Sequence, residues 1–161
     1  MTAELSDFLR SKEASPLPIS PSWTPDFFSW RVFGHPYRNY RVLGVFDQAK
    51  LVGISVYALD ERGRAYIYLL ECLRQKQFAQ YTRSIIAEIF AREKSKFIYT
   101  WEPTNALRRK AYLGSGFIFN PWQRGPFSYR VPFITRSETG KVNGLDWGDS
   151  KNFDLQPLVQ D

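Results

Sequence analysis

A mixed α+β fold, built on a central and mostly antiparallel sheet, is predicted by three features of the 161-residue sequence. From Tyr40 the period changes to two over a hairpin, and a second polar turn leads into a third strand ending at Cys72. A helical period follows, with Phe78, Tyr81, Ile85, Ile86, Ile89 and Phe90 three or four residues apart. A further strand and a short basic helix come after it, and a meander feeding a long helix and a returning strand makes a layered sandwich.

In chain order, Leu5, Phe8 and Leu9 predict a short first helix with Ser6 as its cap. Three prolines between Ser15 and Pro21 then predict an extended connector, because proline fixes φ and donates no backbone hydrogen bond. Thr24-Pro25-Asp26 is a helix start, with a capping hydroxyl, proline at the first position and an acid in the first turn. That helix carries Phe27, Phe28, Trp30 and Arg31 and ends near Gly34. Arg41–Phe46 and Leu51–Tyr57 flank the turn Asp47-Gln48-Ala49-Lys50 as a hairpin, and Ala65–Cys72 is the third strand. Lys96–Trp101 reads as a strand closed by Pro103, and Ala106–Leu113 as a helix ending at Gly114 or Gly116. Phe117–Phe119 and Ser128–Ile134 are strand candidates. The expected organisation is 1–22, helix and connector; 23–135, the globular domain; and 136–161, a polar and irregular tail.

Composition narrows the function. Lys and Arg number 22 against 16 Asp and Glu, a formal charge of +6 that suits nucleic acid, an anionic membrane face, a phosphate-bearing ligand or solubility alone. One cysteine, Cys72, and one histidine, His35, exclude an intrachain disulfide, a Cys-cluster zinc site and a two-His metal site, so no metal is expected. Cys72 reads as a small buried hydrophobe, and His35 lies in a turn with no assigned role. The longest apolar block, Tyr66–Leu73, is broken by Glu71 and is too short to span a bilayer. Met1-Thr2-Ala3-Glu4 has neither a basic nor an apolar leader region, so a cytoplasmic location is expected.

The segment Asn105-Ala-Leu-Arg-Arg-Lys-Ala-Tyr112-Leu-Gly-Ser-Gly116-Phe117 resembles the acetyl-CoA-dependent N-acetyltransferase (GNAT) superfamily. There a strand ends at an Asn, a Tyr follows seven residues on, and Gly-Phe comes four residues later. The hairpin around Asp47 and Gly53, and the order of the later elements, extend the likeness over residues 40–134. Trp30-Arg31, Pro36, Tyr40 and Gly148-Asp149-Ser150 look like the C-terminal module of bacterial GNAT-like proteins of polysaccharide synthesis, relatives of Fem-type transferases.

The resemblance implies transfer of an acetyl group from acetyl-CoA to a primary amine, such as that of an amino sugar. The family's pyrophosphate loop, Gln/Arg-x-x-Gly-x-Gly/Ala, aligns with Arg74-Gln75-Lys76-Gln77-Phe78-Ala79. Gln77 stands where the family has its central Gly, and its β-carbon obstructs a phosphate approaching the backbone. Arg74 and Lys76 offer compensating charge. The family's first strand has no counterpart in residues 1–39, which leaves a sheet edge open to another chain.

Each implied role has a structural counterpart. Tyr112 is the implied acid for the leaving thiolate, or a ring packed under the sheet. Glu71 is the candidate base, or an acid paired with Arg74 or Lys76. Asn105 caps the helix after it and, in the family, contacts the cofactor arm. Arg108, Arg109 and Lys110 reach the 3′-phosphate of CoA, or form a solvated basic face. Arg31, Arg38 and Arg41 among Trp30, Tyr37 and Tyr40 are weighed as an RNA surface, which the mixed charge nearby disfavours. The alternative function is a degenerate GNAT-fold domain acting as an interaction or dimerisation module, with a homodimer or an N-terminal partner half as its partner.

Overall fold

The computed structural model describes residues 1–12, 17–18, 20–101, 103–119, 141–142, 145–146 and 154. Its helices are α1 (Ala3–Ser11), α2 (Pro25–Phe28), α3 (Phe78–Glu93) and α4 (Ala106–Leu113). Strands β1 (Arg41–Asp47), β2 (Lys50–Leu59), β3 (Ala65–Cys72) and β4 (Ile98–Tyr99) form one sheet in that order. The first three are antiparallel and β4 joins β3 in parallel. The predicted mixed α+β class is therefore present.

Both faces of the sheet are covered. On one, α3 and α4 bury Leu43, Val52, Tyr57, Ile67 and Leu70 beneath Phe78, Tyr81, Ile85, Ile89 and Tyr112. On the other, Ile54, Val56, Tyr68 and Leu69 pack under Leu5, Phe8, Leu9, Trp23, Phe28 and Val32. Burial from two sides explains why residues 51–57 of β2 are buried without a break, although the strand is antiparallel. Helix α1 is thus part of the core, so the compositional boundary at residue 22 does not separate it from the domain.

Several ends differ from expectation. Thr2, not Ser6, caps α1: its hydroxyl accepts from Leu5 N–H at 3.4 Å, while Ser6 donates to the Thr2 carbonyl. Thr24 caps α2 as predicted, accepting from Phe27 N–H at 3.2 Å. After Phe28 the helix widens into a turn over Ser29–Phe33, where Gly34 N–H reaches back five residues to Ser29. The β4 pairing covers two residues rather than the six of Lys96–Trp101. Phe117–Phe119 is not a strand, and Ser128–Ile134 lies outside the described residues. In the expected irregular tail, Lys141–Val142 (β5) and Leu145–Asp146 (β6) pair antiparallel, and Asp154 is buried.

The β1–β2 turn is tight, with Gln48 and Ala49 both in the left-handed region (φ 46° and 66°). Such turns match the twist of the strands but favour Asn-Gly, because a β-carbon crowds the backbone there. Ala49→Gly is therefore expected to stabilise the fold by about 0.5–1 kcal/mol, seen as a higher urea midpoint at unchanged slope.

Arg41 on β1 pairs with Glu93 at the end of α3, and the Tyr57 hydroxyl donates to the same carboxylate at 2.7 Å. Hydrogen bonds from Arg41 and then Tyr57 hold Glu93 below its ordinary value of 4.5. Burial, followed by Glu93, pushes Tyr57 up to about 12. A carboxyl lowered by folding adds stability that is fully present above its unfolded pKa and is lost as pH falls through the folded one. Glu93→Gln should flatten the acid limb of the stability curve below about pH 4.5 and, because Glu93 also helps raise Tyr57, soften the alkaline limb between about pH 10 and 12.

Candidate functional site

Strands β3 and β4 part after two residue pairs, Ala65↔Ile98 and Tyr66↔Tyr99. Beyond that point side chains take over the edge of β3. Thr100 donates its hydroxyl to the Ile67 carbonyl at 2.9 Å, and the Arg108 guanidinium donates to the Leu70 carbonyl. Arg108 comes from the first turns of α4, whose start is set by Asn105: its Oδ1 accepts from Leu107 N–H at 2.9 Å and Arg108 N–H at 3.4 Å. Arg108, Ala111 and Tyr112 lie three, six and seven residues after Asn105, so one face of α4 carries them all inward.

The guanidinium is 2 % exposed and surrounded. Its Nη2 meets Glu71 Oε1 at 2.9 Å and Asp154 Oδ2 at 3.3 Å, and Nε meets Asp154 Oδ1 at 3.2 Å. The Phe78 ring, at the start of α3, lies 4.8 Å from its Cζ. Lys12, at the end of α1, stands 3.9 Å from Glu71 Oε2. Burial opposes the charge on Arg108, but Glu71 and Asp154 outweigh it and hold its pKa above the ordinary arginine value. Arg108 therefore stays charged, with two carboxylates beside it inside the fold.

Tyr112 is buried against Phe117, with ring centroids 4.9 Å apart. Burial pushes its phenol well above the usual value. Arg108 and a hydrogen bond with Thr100 pull the other way, and the charges of Glu71 and Asp154 add to the rise. The hydroxyl remains protonated at neutral pH and faces the protein interior.

The candidate residues divide into two groups. Glu71, Asn105, Arg108 and Tyr112 come together in the buried cluster, joined at its edge by Phe78. Glu71 is paired, but with Arg108 and Lys12 rather than with Arg74 or Lys76. Arg108 differs most from expectation: its guanidinium points into the core, not toward a phosphate in solvent. Arg74, Lys76, Ala79 and Arg109 are exposed and Gln77 is half-buried. Arg109 lies over the Phe119 ring at 5.0 Å. Between Arg74 and Phe78 the chain makes a 3₁₀ turn over Gln75–Gln77, where Gln77 N–H donates to Arg74 O at 3.1 Å and Phe78 N–H to Gln75 O. Gln77 has φ −96°, a conformation any residue adopts.

Three members escaped the sequence reading: Asp154, Thr100 and Lys12. Asp154 and Lys12 lie 46 and 96 residues from Arg108 (154 − 108 and 108 − 12), and no local pattern links them. Elsewhere, Cys72 donates its thiol to Arg74 O at 3.0 Å and is packed in the core. The basic residues weighed as an RNA surface are engaged within the protein. Arg31 is buried, Arg38 bonds the Tyr68 hydroxyl and Arg41 holds Glu93. Among the described residues no helix is long and apolar enough to cross a membrane, and no group of three metal-ligating side chains gathers.

Removing the cation strands two buried carboxylates. Arg108→Met is expected to cost about 3–5 kcal/mol, whereas Arg109→Met on the exposed face should fall within about 0.5 kcal/mol of the parent, both read from urea denaturation.

No protein-family model, curated protein or solved structure matches the chain significantly.

Proposed function

We propose that this chain is a catalytically degenerate GNAT-like domain that acts as a protein-interaction or dimerisation module. The observation that carries this reading is the position of Arg108. For Tyr112 to serve a thioester and Asn105 to contact a cofactor arm, that arm must reach the inner face of α4 where β3 and β4 part. The guanidinium lies on that face, bonded to the Leu70 carbonyl, Glu71 and Asp154.

Acetyl-CoA fits the remaining residues poorly as well. A pyrophosphate at the start of α3 needs backbone N–H groups, and those of Gln77 and Phe78 are already committed to the 3₁₀ turn. The Gln77 side chain adds bulk where a phosphate must come close. Glu71, the candidate base, is ion-paired and 3 % exposed, so it meets no amine from solvent. No catalytic step is therefore assigned to this chain.

One observation favours acyl transfer to a primary amine as the second reading. Asn105 Nδ2 is buried and has no hydrogen-bond partner among the described residues, and a buried amide donor is costly to leave unmet. A cofactor amide or carbonyl would satisfy it.

Thermal melting with and without millimolar acetyl-CoA separates the two. The degenerate domain should keep its melting temperature within about 1 °C, whereas a ligand at a hundredfold excess over Kd adds about 2.7 kcal/mol, worth several degrees in a domain this size. Such a rise, abolished by Arg74→Ala, would replace this reading with the second.

A further inference from the structure

We propose that the open edge of β1 pairs with β1 of a second copy of this chain, antiparallel and centred on Gly44, so that two sheets join into one. This rests on the interaction-module reading and names that module's partner.

Strand β1 ends the sheet order, and among the described residues no strand lies on its outer side. An unpaired edge presents a row of backbone donors and acceptors, and proteins usually blunt it with proline, a bulge or an inward-pointing charge. Arg41–Asp47 contains no proline. The irregularity between β1 and β2 places the extra residue, Val52, on β2, since Val45 opposes Gly53 and Phe46 opposes Leu51. The outer edge therefore runs regular for seven residues.

The order of residues along β1 selects a second copy as the occupant. In Arg41-Val42-Leu43-Gly44-Val45-Phe46-Asp47 the two charges are opposite in sign and equidistant from Gly44. A two-fold axis at Gly44 sets Arg41 opposite Asp47 of the partner subunit, and the same pair recurs at the other end. Val42 then faces Phe46 of the partner subunit, and Leu43 faces Val45 of the partner subunit, each pair on one face of the joined sheet. Parallel pairing in register would instead stack Arg41 on its own copy and Asp47 on its own copy.

Side-chain positions agree with that register. Phe46 is 59 % exposed, a large apolar surface that the partner's Val42 would cover. At the axis two identical residues meet, and Gly44 brings no side chain there. Its open space is already used, because a β-carbon on Gly44 would lie 2.8 Å from Leu51 Cδ1 and 3.2 Å from Phe46 Cε2. The Arg41 side chain is half exposed and meets Glu93 through one nitrogen, leaving other guanidinium donors for a second carboxylate. Asp47 is exposed and stands at the hairpin end.

Sedimentation equilibrium across the micromolar range tests the assembly, and two variants test its register. The parent chain should pass from monomer to dimer with concentration. Asp47→Arg places like charges together at both ends of the interface and should raise the dimer Kd about tenfold. The double variant Val42→Cys with Phe46→Cys should form an intermolecular disulfide on mild oxidation, since the native Cys72 is buried. A chain that stays monomeric throughout overturns the proposal. So does a dimer that neither responds to Asp47→Arg nor cross-links, which would place the contact elsewhere. A monomer that ignores acetyl-CoA leaves the non-catalytic reading standing, whereas an acetyl-CoA melting shift removes that reading whatever the oligomeric state.

Discussion

One buried cation organises this molecule. The Arg108 guanidinium takes a carbonyl from β3, a carboxylate from the end of the same strand, a second carboxylate from Asp154 and the face of the Phe78 ring. Through Glu71 the cluster also reaches Lys12 at the end of α1, on the opposite layer. Taking such charges out of water is expensive, and only close, hydrogen-bonded pairing makes it tolerable. The cluster consequently specifies where α4, the start of α3 and the end of β3 sit relative to one another, because any slip leaves a buried charge unmatched.

Divergence of β3 and β4 is what creates room for this cation. Two paired residues fix β4 beside β3, after which the edge carbonyls of Ile67 and Leu70 must find other donors. Thr100 and Arg108 supply them, and Thr100 in turn holds the Tyr112 hydroxyl. A sheet that splays in this way can admit a ligand or fill itself from within. Here the filling is internal, and Glu71, Asn105, Arg108 and Tyr112 form a packed polar core. The open β1 edge at the other end of the sheet has no such internal answer among the described residues, and the two ends of one sheet thus face opposite fates.

Local rules accounted for most of the elements. Thr24-Pro25-Asp26 started a helix, Asn105 capped one, and the hairpin pattern with the apolar run after a second turn located β1, β2 and β3, since each of these depends on residues within a few positions. Ser6 lost its place as cap to Thr2 because both are hydroxyl residues near one helix start, and the geometry of the first turn decided between them. β4 proved shorter than its β-branched and aromatic residues suggested, since strand length depends on how long the neighbouring strand stays alongside.

The site was partly readable. Spacing along α4 already put Arg108 on one face with Asn105, Ala111 and Tyr112, and that period, weighed above the run of three basic residues, would have turned it inward. Which carboxylates would meet it was beyond local reading. Glu71 had nearer cations in Arg74 and Lys76, yet both are exposed, and its partners come from α4 and α1 instead. Chain-local chemistry thus set β1, β2 and β3, the helices, and the Thr24 and Asn105 caps. Packing alone chose the ion pairs, the splay of β3 from β4 and the burial of Tyr112. The ion pairs around Glu71 and Arg108 join residues 37 to 59 positions apart in the chain, where sequence proximity carries no information about distance in space.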